Sequence, residues 1–198
     1  VGGSIIMKKS SSDQSTLSFP AVKTSNAKRD LSKPILPVKI VVDKSSYELY
    51  VYDSHGWFAT YPVVFGNPSL DDKRMEGDRN TPEGTFRIVN KRVHDKWDRY
   101  MGLDYPTRES IEKFNQRSKE EDPCIGFTRR GIGIHGTWPR EDFVIDRYKN
   151  WTNGCISLKN SDVEDLYSYI PVGTPVEIRN DQGIADRKDN TSRCHFKG

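Results

Sequence analysis

Two side chains of this sequence could act together as a nucleophile and its base, Cys155 and His135. Cys155 follows Gly154 and lies between a polar turn and an apolar run. A thiol with an ordinary pKa of about 8.5 is mostly protonated at neutral pH, so it needs a neighbouring base or cation, and an imidazole is the usual one. The glycine allows a sharp turn whose amide groups converge on one point, as an oxyanion hole requires.

His135 is the best placed of the four histidines. His55 lies in a predicted hairpin turn, His94 in a charged irregular stretch and His195 near the C-terminus. His135 instead ends an apolar run that contains glycines, and a histidine at a strand end can reach into a cleft. From the residues alone two other interpretations stay open: Cys155 as an inert buried thiol, and His135 as a core histidine bonded to the backbone.

The composition excludes several other classes of function. The 31 basic and 28 acidic residues are interspersed and leave a net charge of +3, which is too mild for a nucleic-acid-binding surface. No apolar stretch of about 18 residues occurs, so no transmembrane helix is predicted. The three cysteines lack C-x-x-C spacing, so we expect no metal site and no cofactor. If Cys155 is free, Cys124–Cys194 is the one possible disulfide.

One folded domain, residues 36–180, is predicted between an N-terminal tail of residues 1–35 and a C-terminal tail of residues 181–198. The first tail is rich in Ser, Lys, Asn and Asp without a sustained hydrophobic period, which is typical of a linker. The chain starts at Val1 without an export signal or an initiator Met. We therefore expect a trimmed form, in which any membrane association would come from a segment that precedes it.

Short apolar runs bounded by turn residues predict a mostly β domain. The predicted strands are 38–42, 47–52, 57–65, 85–89, 131–135 and 175–178. Pro62 restricts the third strand to an edge or a bulge, since it cannot donate to a ladder. A helix is predicted from Ser161, because Ser161 and Glu164 match a capping box.

Residues 90–127 are predicted to be an insertion. Within it, Thr107–Asp122 has the composition of a helix, but its apolar face consists of Ile111 and Phe114 alone. A polar helix of this kind rests on a surface instead of filling a core. Because it precedes the strand of His135, we expect it to act as a lid over a cleft.

Several motifs, in order, resemble those of the YkuD-type L,D-transpeptidase domain. Two of them, Ile134–Thr137 and Thr152–Leu158, contain His135 and Cys155 at the family's spacing. The other matching motifs are Val41–Asp43 with Leu49–Tyr52, Pro62–Gly66, Thr81–Phe86 and Val172–Val176. The resemblance covers about residues 36–180, and the order of the motifs makes it specific.

The resemblance implies a mainly β fold, a β-sandwich-like mixed sheet with a few short helices and an inserted helical lid. It implies that Cys155 attacks a carbonyl next to meso-diaminopimelate in a peptidoglycan stem peptide, that D-alanine leaves, and that a thioester forms. An amine of a second stem, or a lipoprotein lysine, would resolve the thioester. His135 would be the base, oriented by the carbonyl of Gly136 or a neighbour, and the amides of Gly154 and Cys155 would form the oxyanion hole. The expected location is the periplasm or the cell envelope.

Two positions depart from the family pattern. Asn153 stands where the family often has His, and Ser157 where it often has an Arg that holds substrate carboxylates. Arg129, Arg130 or Arg147 could take over that role, or be plain surface charges. The residues predicted to contact substrate are Thr137, Trp138, Trp151, Asn153, Ser157 and Arg130.

Three alternatives to transpeptidation stay open. The first is hydrolysis at the same site. Two features, the Trp-Thr-x-Gly-Cys form of the motif and Leu103–Pro106, resemble a subgroup of the family in Gram-negative bacteria. In that subgroup, hydrolysis of cell-wall cross-links or release of bound lipoproteins is an alternative to forming cross-links. A non-catalytic cell-wall binding domain is the second alternative, although Cys155 and His135 are both present. A sortase-like acyltransferase is the third, but its Thr-Leu-x-Thr-Cys strand is missing.

Overall fold

A computed structural model describes residues 33–118 and 131–181. The predicted tails lie almost wholly outside these ranges, as do Cys124, Cys194, Arg129 and Arg130. The elements are β1 (Lys39–Asp43), β2 (Glu48–Asp53), β3 (Gly56–Pro62), β4 (Gly84–His94), β5 (Asp98–Leu103), α1 (Arg108–Ser118), β6 (Gly133–His135), α2 (Phe143–Asp146), β7 (Ile156–Ser157), α3 (Asn160–Tyr169) and β8 (Pro175–Arg179). None of the helices in the described ranges combines the length and the hydrophobicity that a membrane span requires.

The strands form a mixed sheet in the order β3-β2-β1-β8-β4-β5-β6-β7. The pairs β1/β8 and β6/β7 are parallel, and the other pairs are antiparallel. The predicted mainly β fold with a mixed sheet and a few short helices is therefore confirmed. β3 is the edge strand, in agreement with the restriction that Pro62 imposes.

The core lies against the centre of this sheet. β1 is buried from Ile40 to Asp43 because it has strands on both sides. β2 alternates between buried and half-buried positions, so Leu49 and Val51 face the core, as the period of two requires. α3 packs on β5 and β6 and buries Val163 and Leu166.

The start of the segment predicted as an insertion belongs to the sheet. β4 continues to His94 and β5 follows it as a hairpin partner, so the prediction that residues 90–127 are an insertion is wrong up to Leu103. The outer part of β4 carries mainly exposed residues, which is why no alternation of apolar residues marks it. This hairpin places Trp97 and Tyr100 next to β6.

The predicted helix within that segment exists as α1, but its described part is not a lid. Its side chains attach it to the loop between β3 and β4: Arg117 is 3.0 Å from the Asp72 carboxylate, and Lys113 donates to the Glu83 carbonyl at 3.3 Å. No residue of α1 in the described range lines the cleft that holds Cys155. The rest of the expected lid, residues 119–127, lies outside the described residues.

The capping box predicted at Ser161 is not formed. α3 begins at Asn160, with Lys159 at the N-cap position and no side-chain cap. The Asn160 amide instead donates to the Asp142 carboxylate at 3.0 Å. A distant carboxylate has replaced the local cap, since it satisfies a free amide of the first turn equally well.

A buried lysine anchors the loop between β3 and β4. Lys44, at the end of β1, is fully buried. Its ammonium is 2.8 Å from the Glu83 carboxylate and donates to the carbonyls of Asp71 (3.0 Å) and Thr81 (3.2 Å). Because a buried ammonium must be paired, these bonds hold the middle of the loop, at Asp71, and its C-terminal end, at Thr81 and Glu83, beside the end of β1.

We expect Lys44→Met to destabilise the protein by about 2 kcal/mol or more, because it leaves a carboxylate and two carbonyls without their donor. Urea unfolding followed by circular dichroism measures the change. Lys149 is exposed, so Lys149→Met should stay within about 0.5 kcal/mol of the parent chain. Equal stabilities of the two variants would contradict the anchoring role.

Candidate active site

Cys155 ends a tight turn directly before β7. Gly154 has a φ of +115°, and a Cβ at this position would lie 2.7 Å from the Asn80 carbonyl oxygen, so only glycine fits. Within the turn, Thr152 Oγ1 donates to the Cys155 carbonyl at 2.7 Å and accepts from the Gly154 amide at 3.2 Å. The turn is therefore rigid, and it leaves Cys155 partly exposed.

This geometry changes the oxyanion hole predicted from the sequence. The Gly154 amide already donates to Thr152 Oγ1. In the described part of the chain, the Cys155 amide has no such side-chain acceptor within the turn. The Cys155 amide is therefore the better candidate of the two for binding a developing oxyanion.

The chain after β3 attaches this turn to the sheet. The Phe65 carbonyl accepts the amides of Trp151 (2.9 Å) and Thr152 (3.2 Å). Val64 and Ser157 exchange two backbone hydrogen bonds of 3.0 and 2.9 Å. The strand predicted to run to Phe65 is thus divided: β3 stops at Pro62, and the residues after it pair with β7 instead.

Cys155 and His135 lie on neighbouring parallel strands and face the same side. Ile134 pairs with Ile156 and His135 with Ser157, so Cys155 lies beside Gly133, which makes a backbone hydrogen bond to the thiol. Side chains two residues apart on a strand point to the same face. On that face of β6, the residue beside the thiol is Gly133, which has no side chain.

A backbone carbonyl fixes the tautomer of His135. Nδ1 lies 2.7 Å from the Gly136 oxygen. Because a carbonyl only accepts, Nδ1 carries the proton and Nε2 presents a lone pair. Ser157 Oγ donates to the same oxygen at 3.3 Å. The Gly136 carbonyl thus lies in hydrogen-bonding contact with the imidazole, and its predicted role in orienting a base stays a prediction.

Aromatic rings enclose the imidazole. Trp97 stacks on it at 4.6 Å between ring centroids and 23°, Tyr100 lies at 6.2 Å and 15°, and Trp151 meets it edge-on at 5.6 Å. His94 stacks on the far side of Trp97 at 4.4 Å. These contacts leave His135 only 2% exposed, so its ring cannot rotate without unpacking the rings around it.

Burial keeps both reacting groups neutral. It lowers the pKa of His135 to about 4, although the hydrogen bond to Gly136 acts in the opposite direction. Burial also raises the pKa of the Cys155 thiol, against smaller lowering effects from the Gly133 hydrogen bond and the positive charge of Lys73. At neutral pH the pair is therefore a thiol and a neutral imidazole, and the imidazole is free to accept a proton.

A cleft of about 600 Å³ opens at Cys155. Its lining residues include Lys73, Arg92, Trp97, Tyr100, Asn153 and Cys155. The loop between β3 and β4 contributes Lys73, and the hairpin of β4 and β5 contributes the aromatic wall. Burial raises the pKa of Tyr100 to about 12, so its hydroxyl remains protonated and can donate.

Two residues predicted to contact substrate are buried instead. Ser157 is fully buried and donates to Gly136, so it positions the carbonyl that orients His135. Thr137 is also buried; its hydroxyl donates to Asp142 at 2.5 Å and its amide to Asn160 Oδ1 at 3.0 Å. Both predictions of substrate contact are therefore wrong, because the two side chains are buried and form hydrogen bonds with protein groups next to β6.

The remaining predicted contact residues divide by position. Asn153 is exposed and lines the cleft. Trp151 is half-buried against His135. Trp138 is 38% exposed and meets Trp97 edge-on at 6.5 Å. Arg130 lies outside the described residues, so its predicted role stays a prediction.

The sequence analysis missed Lys73, Trp97 and Tyr100. All three come from segments without regular periodicity. The loop could be recognised from its turn residues, among them Gly77, Asp78 and Asn80, but nothing in that pattern indicates that it returns to Cys155. In the described ranges, no group of three or more His, Cys, Asp or Glu side chains is placed to hold a metal ion.

Comparison with known proteins identifies relatives by sequence. A model of the YkuD family, described as the L,D-transpeptidase catalytic domain, matches residues 37–178. The chain is also 32% identical over 147 residues to "Putative L,D-transpeptidase YqjB" of Bacillus subtilis (strain 168), an alignment that covers 72% of this chain and 71% of that protein.

Solved structures share the fold. The helical cell shape determining protein Pgp2 of Campylobacter jejuni matches with a TM-score of 0.54 and 20% identity, over 72% of this chain and 47% of that one. Bd1075 of Bdellovibrio bacteriovorus matches with a TM-score of 0.50 and 20% identity, over 79% of this chain and 54% of its own. The chain thus spans about half the length of these two structural relatives.

Gly133→Ala should disturb the site, whereas Gly131→Ala should not. A Cβ at Gly133 would lie 2.5 Å from the Tyr100 ring, but one at Gly131 would meet only the Tyr100 hydroxyl at 3.7 Å. We expect Gly133→Ala to cost about 2 kcal/mol through overpacking and to slow alkylation of Cys155 by iodoacetamide. Urea unfolding and peptide mass spectrometry measure the two effects; matching results for both variants would contradict this packing.

Proposed function

Because this chain belongs to the family of L,D-transpeptidase catalytic domains, we propose that it transfers an acyl group from a peptidoglycan stem peptide through Cys155. One observation supports this most strongly. Cys155 opens into a cleft and faces the same side of the sheet as His135. Nδ1 of His135 is hydrogen-bonded to the Gly136 carbonyl. That arrangement supplies a nucleophile, a base and the group that orients the base.

In the first half-reaction, the sulfur of Cys155 attacks the stem carbonyl next to meso-diaminopimelate, and its proton moves to Nε2 of His135. The carbonyl oxygen becomes an oxyanion, which the Cys155 amide stabilises. The intermediate then expels the amine of D-alanine, which takes the proton from His135. The products are a thioester on Cys155, free D-alanine and a neutral imidazole.

In the second half-reaction, an amine attacks the thioester and His135 again relays the proton. The amine belongs to a second stem peptide or to a lipoprotein lysine. Water in place of the amine gives a hydrolase, either an L,D-carboxypeptidase or endopeptidase, or an enzyme that releases wall-bound lipoprotein. Since peptidoglycan is the substrate, the protein acts in the cell envelope.

We expect Cys155→Ala to abolish release of D-alanine from a stem tetrapeptide, because no other thiol lines the described cleft. Intact-protein mass spectrometry should detect the thioester on the parent chain, and a carbapenem adduct at the same residue, and neither on the variant. Circular dichroism controls for folding. Full turnover by Cys155→Ala would overturn the mechanism, and a chain that forms no adduct at all would favour the non-catalytic binding domain.

Muropeptide analysis separates the two outcomes of the thioester. Incubation of the chain with a donor tetrapeptide and an amine acceptor gives a cross-linked product if transpeptidation dominates. A free tripeptide, with no cross-link at high acceptor concentration, identifies the hydrolase.

The rate of thioester formation should stay level from about pH 8 to about pH 5.5, because His135 has its pKa lowered to about 4 and stays unprotonated there. It should fall only as the pH drops through that value. An ordinary histidine would lose its base form below about pH 6.5.

His135→Ala should reduce the rate of thioester formation roughly 10²- to 10⁴-fold. A loss below tenfold would exclude His135 as the base, whereas a limb near pH 6.5 would contradict its lowered pKa.

A further inference from the structure

Lys73 is a buried cation in the cleft that the steps above do not use. It lines the same cavity as Cys155 and is only 8% exposed. Lysine is seldom buried unless its charge is paired. Its positive charge reaches Cys155, where it acts to lower the pKa of the thiol against the larger effect of burial.

Asp78 holds the ammonium in place. The Lys73 ammonium is 2.6 Å from one oxygen of Asp78. The same carboxylate accepts the backbone amides of Arg74 (2.7 Å), Met75 (2.9 Å) and Asn80 (2.9 Å). Burial alone would raise the pKa of Asp78, but the ammonium and these amides outweigh it and lower the pKa. The carboxylate thus stays charged and fixes the lysine.

The main chain of Lys73 is held as well. Its carbonyl accepts a hydrogen bond from Arg117 of α1 at 3.2 Å, and Arg117 also pairs with Asp72 at 3.0 Å. Side chain and backbone are therefore both tied before any ligand arrives. A charge that needs no reordering binds a counter-ion at a lower entropic cost.

The ammonium retains hydrogen-bonding capacity. It has three N–H bonds, and among the described residues Asp78 is its one acceptor. Asp78 already accepts three amides in addition. The two remaining N–H bonds can donate to a second carboxylate, and the partly desolvated cleft strengthens such a contact.

Ser157 cannot supply the substrate's counter-ion. It occupies the position where the family often has a carboxylate-binding Arg, but it is fully buried. Among the described residues, the cations that line the cleft are Lys73 and Arg92. Arg92 is exposed and lies over the Tyr100 ring at 4.9 Å, so Lys73 is the one that is buried and fixed.

We propose that Lys73 determines specificity for an anionic acyl donor by binding a carboxylate beside the scissile carbonyl. This inference rests on the proposed function, which supplies two such groups: the C-terminal carboxylate of the leaving D-alanine and the side-chain carboxylate of diaminopimelate. Because the contact exists before and during the attack, it lowers KM more than it raises kcat.

The test measures D-alanine release, which reports the first half-reaction whatever resolves the thioester. Lys73→Gln should raise KM about 10- to 100-fold for a tetrapeptide with free carboxylates, with kcat changed by less than about threefold. Lys73→Arg should recover part of the loss, because it retains the charge. Lys149→Gln, the same change at an exposed position, controls for net charge and should leave KM unaltered.

Donors with one carboxylate converted to a carboxamide identify the group that Lys73 binds. On the parent chain, the correct carboxamide should raise KM by the same factor as Lys73→Gln, and Lys73→Gln should then add no further loss. The comparison of donors on the parent chain needs no variant. Equal KM for all donors on the parent chain, or an equal loss with every donor in Lys73→Gln, would overturn the proposal and leave Lys73 acting on the thiol alone.

Failure of this inference is distinct from failure of the proposed function. A parent chain that forms no thioester with any donor contradicts the proposed function itself. A parent chain that releases D-alanine but shows no discrimination through Lys73 contradicts only the role of Lys73.

Discussion

The carbonyl of Gly136 receives two hydrogen bonds, from Nδ1 of His135 and from Ser157 Oγ, and the orientation of the base depends on its position. Gly136 is itself confined, since a Cβ there would lie 2.2 Å from Asn160 Oδ1 and 2.8 Å from the Trp97 carbonyl. Its amide donates to that same carbonyl at 3.0 Å. The β4–β5 hairpin, β6, β7 and the start of α3 therefore all converge on one peptide group.

The same enclosure decides the charge state of the site. Rings on three sides exclude water from His135, and its pKa falls to about 4, while burial raises the pKa of Cys155. A buried ion pair would have to repay the desolvation of two charges. The neutral pair avoids that cost in the resting state, and in the proposed mechanism charge separates only when a carbonyl is present to accept the sulfur and an amide is present to bind the oxyanion.

The loop between β3 and β4 provides the permanent charge that the reacting pair lacks. Lys44 holds the loop at Asp71 and Thr81, and the Asp78 carboxylate accepts three backbone amides and one ammonium between these two points. The loop has no regular secondary structure, yet bonds to the Lys44 ammonium and to the Asp78 carboxylate define its shape. It is therefore as well suited to position a substrate as a strand would be.

Local sequence was sufficient for the strands near the N-terminus and for the glycine turn of Cys155, because each depends on neighbouring residues: alternation for the strands, and a glycine beside a thiol for the turn. It was insufficient wherever a distant group replaced a local one. Asp142 caps α3 in place of Ser161, and Thr137 and Ser157, which were predicted to contact substrate, are buried and bond to Asp142 and to the Gly136 carbonyl. Lys73, Trp97 and Tyr100 enter the cleft from segments without periodicity, since their places depend on a sheet order that brings β5 next to β6. The sequence by itself determined which atoms could react; the tertiary structure decided their protonation and their surroundings, because burial and pairing arise only from residues far apart in the chain.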